Sequence, residues 1–419
     1  MRSHPKPSTS DGQARLQLVP VKTDFLEDEQ KLEDSIVDLT QRLVAIPSQG
    51  GTDNQKKIID ELSDWFQSFG LHFDVLRSER RKYENSFLGL SATIGSGKPP
   101  YYLVTACLDT APFGDRKQWS FDPTSARVDH SGWLNGRGSA DSKIAIAIFS
   151  HMIADLRRHE LKGTLVFLAD SDEHTGNFGA IKKLIQRRTA KKFSGAFIGY
   201  PGNESIKCGA RGFYRSRVRF FGTAQHTGSR KICKDDAIEK AIFFCTLLSE
   251  AKKDIEQSSV DFPLEPKITV TSVHGGTNSY SITSDSCYVG VDIRLTPTFQ
   301  KVSARKLINT AALRVVHEFG GQKPKLQNEQ SWPAYRIGQN SPLISSLLSA
   351  STAEFGHSPS VEVCGPSNVG NYLASVSVDA VCGFGVKYKG IHSVNECIDL
   401  ATVQPVYNSY KSALLKLLS

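Results

Sequence analysis

The sequence predicts an α/β fold in which a mostly parallel sheet is covered by helices on both faces and interrupted by a smaller α+β domain. Apolar strand patterns alternate with helical patterns up to Tyr200 and again near the C-terminus, as expected for parallel strands joined by crossover helices. In between, the order becomes strand, helix, strand, strand, helix, which suits a small sheet with helices on one face. The predicted parts are a flexible arm at 1–23, a main domain formed by 24–205 and 322–419, and an inserted domain at 206–321.

The individual elements follow from the spacing of apolar residues. The arm is rich in Pro, Ser, Lys and Arg and has few large apolar side chains, so no element is predicted there. Helical spacing predicts helices over about 32–43, 58–69, 145–156, 238–248, 307–315 and 403–418. Apolar runs and period-two alternation predict strands over about 101–106, 164–169, 213–221, 267–273, 287–295, 361–364 and 380–384.

Composition argues against several classes of function. The chain carries 51 Lys and Arg against 43 Asp and Glu, but this charge of +8 is spread out and lacks the aromatic-basic motifs of nucleic-acid binding. Eight cysteines lie far apart without a Cys-x-x-Cys pair, which indicates reduced thiols in a cytoplasmic protein. Neither a leader nor an apolar run of bilayer length is evident, so we expect no secretion and no membrane partner.

Three polar clusters stand where strands or turns end. Cys107-Leu108-Asp109 and Asp172-Glu173-His174 each follow an apolar strand, and Asp141 follows a glycine-rich turn at the start of a helix. Ligands of open α/β sheets bind outside the carboxyl ends of the strands, so these clusters are expected to converge. Thiol, carboxylate and imidazole groups gathered in one place indicate a metal centre.

The motifs around these clusters resemble those of the zinc-dependent aminoacylases, acetylornithine and succinyl-diaminopimelate deacylases and glutamate-type carboxypeptidases. That family carries His-x-Asp, Gly-Arg-Gly-x-x-Asp-x-Lys, Asp-Glu-Glu-x-Gly, an acidic residue before Pro, and a late His-x-x-x-Glu. The counterparts here, in the same order, are Cys107 to Asp109, Gly136 to Lys143, Asp172 to Gly176, Tyr200-Pro201, and His392 to Glu396. The resemblance covers roughly residues 30 to 415.

The resemblance implies a zinc ion held by Asp141, His174 and His392, a ligand set that is complete for a catalytic site once water is added. In the family, a second zinc uses the positions held here by Cys107 and Tyr200. Cysteine can ligate zinc, whereas a tyrosine with an ordinary pKa of about 10 is an uncommon ligand at neutral pH. We therefore expect one zinc per chain, with a second site as the alternative.

The resemblance also assigns roles around the metal. Glu173 occupies the position of the general base, which takes a proton from metal-bound water and passes it to the leaving nitrogen. Asp109 matches an aspartate that orients a metal ligand.

The inserted domain resembles the family's lid, which mediates dimerisation in many members. In the lid, His226 matches a histidine that reaches the partner subunit's active site and stabilises the oxyanion. Arg294, Ser281 and Asn368 stand at positions that line the substrate pocket.

The function predicted is zinc-dependent hydrolysis of an amide bond in an N-acyl amino acid or small peptide, by a homodimer. Two alternatives remain open at this point, because Cys107 and Tyr200 replace the family's ligand types. One is a homologue with an altered metal site that binds small molecules or partners without hydrolysis. The other is an amide-forming or acyl-transfer enzyme, which needs a pocket that excludes water.

Overall fold

The structure is a computed structural model that describes residues 28–79, 86–187, 192–233, 235–253, 255, 259 and 261–419. The arm predicted at 1–23 lies outside these residues. Within the described part of the chain, no helix combines the length and apolar character needed to cross a bilayer.

The predicted helices and strands are present, together with shorter elements that the sequence patterns did not indicate. The helices are α1 Glu29–Val44, α2 Lys56–Ser68, α3 Ile144–Leu156, α4 Gly179–Arg187, α5 Ala237–Ala251, α6 Lys301–Phe319, α7 Pro342–Phe355, α8 Val369–Ser375 and α9 Val403–Leu418. The strands are β1 Phe73–Arg77, β2 Phe87–Gly95, β3 Tyr101–Cys107, β4 Arg127–Val128, β5 Trp133–Asn135, β6 Thr164–Asp170, β7 Gly195–Ile198, β8 Ser205–Ala210, β9 Gly212–Phe221, β10 Lys267–Gly275, β11 Ser286–Leu295, β12 Lys325–Trp332, β13 Tyr335–Arg336, β14 Ser360–Cys364, β15 Ala380–Val381, β16 Tyr388–Lys389 and β17 Cys397–Asp399.

The main domain is built on a six-stranded sheet in the order β1-β2-β6-β3-β7-β15. Strands β6, β3, β7 and β15 are parallel, and β2 and β1 join them antiparallel at one edge. All seven residues of β3 and of β6 are buried, as expected for central strands of a covered sheet. The mostly parallel α/β prediction is therefore confirmed.

Helix α3 packs on this sheet at its centre and fixes the turn that precedes it. Every residue from Ile144 to Leu156 is buried, which is the pattern of a helix hydrophobic all round. The buried side chain of Lys143 donates from Nζ to the backbone oxygens of Leu43 and Ile46, at 2.9 Å each. The turn at 139–143, which contains Asp141, is thereby attached to the C-terminal end of α1.

The inserted domain, called the lid below, is an antiparallel sheet in the order β10-β11-β9-β12 with α5 and α6 packed on one face. Its extent differs from 206–321 at both ends. Strand β8 pairs with β13 and β14, and its Ile206, Cys208 and Ala210 belong to the core of the main domain. Strand β12 joins the lid although it follows residue 321, because it is a polar edge strand without an apolar alternation that sequence analysis could detect.

Candidate metal centre

The polar clusters converge because the strands that carry them are adjacent and parallel. Strands β3 and β6 pair in register, with Cys107 at the end of β3 opposite Asp170 at the end of β6. The segments that follow these strands therefore leave the sheet side by side. Asp109 then accepts hydrogen bonds from the backbone N–H groups of Glu173, at 3.1 Å, and His174, at 2.9 Å.

Three predicted zinc ligands lie together in this centre. Oδ2 of Asp141 is 2.6 Å from Nε2 of His392 and 3.4 Å from Nε2 of His174. One ligand atom from each residue can be chosen so that all three lie within 4.8 Å of one another, and the same holds for Cys107, Glu173 and His174. The first set is the one that sequence analysis favoured, and the second shares His174 with it.

The environment of His174 fits a bound cation. Both ring nitrogens are buried without a hydrogen-bond partner among the described residues, although buried polar atoms are nearly always paired. Burial lowers the pKa of His174, but the neighbouring carboxylates of Asp109 and Asp141 outweigh it and raise the pKa above its ordinary value. Surroundings that favour a positive charge at the imidazole also favour a metal ion beside it, so the donor set suits zinc.

Asp141 is the most strongly acidic group in the centre. Burial alone would raise its pKa, but the close contact with His174 and the hydrogen bond with His392 hold the pKa below the ordinary value. The carboxylate is therefore ionised at neutral pH and available as a ligand.

Cys107 lies inside the centre rather than in the hydrophobic core behind it. Its Sγ is 3.4 Å from Oδ1 of Asp141 and 3.0 Å from Oγ of Ser142. Burial, followed by the charge of Asp141, raises the pKa of the thiol well above its usual range. Without a metal the thiol is neutral, which disfavours a thiolate nucleophile.

Tyr200 points its hydroxyl at the predicted base. The hydroxyl donates to Oε1 of Glu173 at 2.6 Å, and burial together with that carboxylate raises the pKa of the tyrosine well above its usual range. The tyrosine is therefore a neutral donor. Burial, opposed by His174, raises the pKa of Glu173 to about 7.

A buried ion pair connects the two loops that carry Asp141 and His392, and sequence analysis gave it no role. Nη1 of Arg137 donates to Oε2 of Glu396 at 2.6 Å, and Nη2 donates to the backbone oxygen of Ser393 at 2.8 Å. Oε1 of Glu396 accepts from the backbone N–H groups of Gly138, Ala140 and Asp141, at 3.0, 3.0 and 3.1 Å. The sequence did contain a signal for this pair, because Arg137 lies inside the motif Gly136 to Lys143 and Glu396 lies inside the motif His392 to Glu396.

The predicted lid and pocket residues lie outside this cluster. His226 is exposed, and its Nδ1 accepts a hydrogen bond from the backbone N–H of Gly228 at 3.0 Å. Ser281 lies close to His226, because the backbone oxygen of Ser281 accepts a hydrogen bond from the backbone N–H of Thr227 at 2.8 Å. Nη1 of Arg294 lies 3.4 Å from Oγ of Ser367, and the buried Asn368 caps α8.

Comparisons with known proteins found a family model, relatives and solved structures that match this chain. Residues 103–416 match the model of peptidase family M20/M25/M40. Succinyl-diaminopimelate desuccinylase of Hydrogenovibrio crunogenus is 23% identical over 397 residues, which are 91% of this chain and 98% of that protein. Acetylornithine deacetylase of Shigella sonnei is 26% identical over 328 residues, 75% of this chain and 83% of that protein. The solved M20 family metallo-carboxypeptidase of Sulfolobus solfataricus superimposes with a TM-score of 0.72 at 16% identity, covering 92% of this chain and 99% of that one.

Proposed function

This chain belongs to the M20/M25/M40 peptidase family and is a metal-dependent amidohydrolase, and from that premise we propose that it hydrolyses N-acyl amino acids or small peptides that bear a free carboxylate. The observation that carries the proposal is the cluster of the buried Asp141, the partly buried His174 and the exposed His392, with Glu173 beside it. A metal site next to a carboxylate that can move a proton is the arrangement that amide hydrolysis requires.

The proposed metal is zinc, one ion per chain, held by Asp141, His174 and His392. A carboxylate and two imidazoles form a ligand set that zinc takes in catalytic sites. When bound, the ion supplies a Lewis acid that polarises the scissile carbonyl and lowers the pKa of water. Cys107 and Tyr200 are not assigned as ligands of this ion, because Tyr200 is hydrogen-bonded to Glu173 and Cys107 belongs to the other group, with Glu173 and His174.

Glu173 is proposed as the general base. Tyr200 holds Oε1, which leaves Oε2 to take the proton of the attacking water and to return it to the leaving nitrogen. A pKa of about 7 suits a carboxylate that must both accept and release a proton near neutral pH. Asp109 orients the base, because it fixes the backbone N–H groups of both Glu173 and His174.

The lid completes the proposed reaction from a second subunit. Because Nδ1 of His226 accepts a hydrogen bond, the neutral ring carries its proton on Nε2, where it can be donated to an oxyanion. The exposed position of His226 suits delivery across a homodimer. Arg294 is proposed to contact the substrate carboxylate, and Ser281 to border the same pocket. The side-chain oxygen of Asn368 is already used at the N-terminus of α8.

The proposed location is the cytoplasm, where thiols stay reduced. All eight cysteines are free, including five that are buried.

The test is hydrolysis of a panel of N-acetyl and N-succinyl amino acids and dipeptides by protein purified without a histidine tag. Release of the amine should stop after treatment with a chelator and return when zinc is added. Turnover that survives complete removal of metal, or no turnover of any panel member by the zinc-loaded protein, would overturn the proposal.

A further inference from the structure

The face of the lid sheet that α5 and α6 leave uncovered is strongly basic. Along β9 the residues alternate between buried and exposed, and Arg215, Arg217 and Arg219 are on the uncovered side. Neighbouring strands add cations at paired positions: Lys325 of β12 lies opposite Arg219, and Lys267 of β10 lies opposite Arg294. We call these residues the basic face, and its members are Arg215, Arg217, Arg219, Lys267, Arg294 and Lys325.

Few of these charges are neutralised within the chain. Asp292, the acidic residue of β11 on this face, pairs with Arg215 at 2.7 Å and with Arg294 at 2.9 Å. No carboxylate among the described residues pairs with Arg217, Arg219 or Lys325. Like charges directly opposite each other on antiparallel strands destabilise a sheet, and no carboxylate among the described residues offsets the pair of Arg219 and Lys325.

Aromatic side chains hold the arginines in place on the sheet. The guanidinium of Arg217 lies 4.1 Å from the ring centroid of Tyr288, and that of Arg219 lies 4.8 Å from the centroid of Phe221. Stacking of this kind orders the planar group and leaves its N–H donors free at the edges. Nε of Arg219 is buried without a hydrogen-bond partner among the described residues. The basic face therefore presents ordered donors suited to carboxylates.

One end of the basic face lies where the lid sheet contacts the main domain. A cavity of about 360 Å³ lies there, lined by Arg211, Lys267, Arg294 and the turn at 365–366, among others. At the same end, the ring of Trp332 lies 5.7 Å from that of Phe178, which follows His174 by four residues. From Arg215 to Arg219 the face runs four residues along β9, or about 13 Å at about 3.3 Å per residue.

We propose that the basic face binds an acidic extension of the substrate, so that the enzyme prefers acylated peptides carrying several carboxylates. This inference rests on the proposed amide hydrolysis and adds the substrate class. Arg294 meets the carboxylate nearest the scissile bond. Arg217, Arg219 and Lys325 meet carboxylates further along an extended chain of about four residues.

The first measurement is binding of fluorescein-labelled tetraglutamate by anisotropy, with labelled tetraglutamine as the neutral probe. Arg217→Gln with Arg219→Gln should weaken tetraglutamate binding about tenfold, and added salt should weaken binding to the wild type. The matched control is Lys306→Gln with Arg314→Gln, which removes the same charge from exposed positions of α6 and should change binding less than about twofold. Equal binding by the wild type and the Arg217/Arg219 variant would overturn the inference.

The second measurement separates this inference from the proposed function. For N-acetylated substrates ending in Glu-Glu or Gln-Gln, kcat/KM should favour the acidic one, and the Arg217/Arg219 variant should lose that preference. Equal hydrolysis of both substrates by the wild type would overturn the inference and leave the proposed function intact. No hydrolysis of either substrate or of simple N-acyl amino acids would overturn the proposed function. Binding of single-stranded RNA to this face without displacement by tetraglutamate would also overturn the inference.

Discussion

The hydroxyl of Tyr200 donates a 2.6 Å hydrogen bond to Oε1 of Glu173, the carboxylate proposed as general base. In the family that this chain resembles, an acidic metal ligand occupies the position of the tyrosine. Here the tyrosine at that position holds the proposed base through a direct hydrogen bond. The backbone N–H of Tyr200 donates in turn to the backbone oxygen of Ile198 at 3.0 Å. The relationship gives the tyrosine a role that does not require a second metal.

Tyr200→Phe should lower kcat about 10- to 100-fold, because a hydrogen bond to an ionised group contributes about 1.5–3 kcal/mol. KM and metal content should stay near the wild-type values, since the hydroxyl contacts neither the substrate nor the metal in this account. Steady-state kinetics and metal analysis of the same preparation check both points. Loss of zinc in the Phe variant would instead identify Tyr200 as a ligand.

Glu173→Gln should lower kcat about 10²- to 10⁴-fold while zinc content stays the same, because an amide cannot accept the proton and the residue is not a proposed ligand. Single-turnover kinetics combined with plasma emission analysis make the comparison. The neighbouring His174 provides the contrast, since its replacement should remove the metal. An equal loss of zinc in both variants would contradict the assignment of Glu173 as the base.

Glu396→Gln should weaken zinc binding about tenfold, measured by competition with a chelator. The carboxylate positions Asp141 and His392 by joining their loops, and such outer contacts typically change metal affinity by about 10- to 100-fold. The matched control is Glu362→Gln, which removes a half-exposed ion pair with Lys207. A lower melting temperature with unchanged zinc affinity would show that Glu396 stabilises the fold without positioning the ligands.

The buried His151 should make stability depend on pH. Burial lowers its pKa to about 4, while the unfolded side chain titrates near 6.5, so the unfolded state takes up a proton first as the pH falls. The contribution of the neutral His151 to the free energy of unfolding is complete above about pH 6.5. It decreases between pH 6.5 and 4, by about 3 kcal/mol in total.

Urea unfolding of the wild type and His151→Gln at several pH values measures this contribution. Glutamine can keep a polar contact with Ser35, whose hydroxyl lies 2.8 Å from Nε2 of His151, but it does not titrate. The difference in unfolding free energy between the two proteins should change by about 3 kcal/mol over that range. A constant difference would show that His151 keeps an ordinary pKa in the folded protein.

Much of the fold followed from the sequence because its central elements have strong local patterns. Strands β3 and β6 are largely apolar runs and α3 is mostly apolar, so their type was evident without tertiary information. Strand β12 was not evident from its sequence, because it is a polar edge strand that is ordered by pairing with β9. The C-terminal boundary of the lid shifted for the same reason.

The candidate site was predictable where strand topology determines it. Cys107, Asp109 and His174 follow adjacent parallel strands, so their proximity could be inferred. The bond between Tyr200 and Glu173 joins two separate loops, and that between Glu396 and the backbone of Asp141 spans 255 residues. Side-chain contacts between distant loops depend on tertiary packing, which periodicity in the sequence does not report.

The most direct test of the central claim is the zinc content per chain of untagged protein, for the wild type, His174→Ala and the exposed-histidine control His357→Ala. We expect about one zinc per chain in the wild type and the control, and loss of that zinc in His174→Ala. About two zinc ions per chain would assign Cys107 or Tyr200 as a ligand and contradict the single-metal site. A folded wild-type protein that binds no zinc would contradict the metal centre itself.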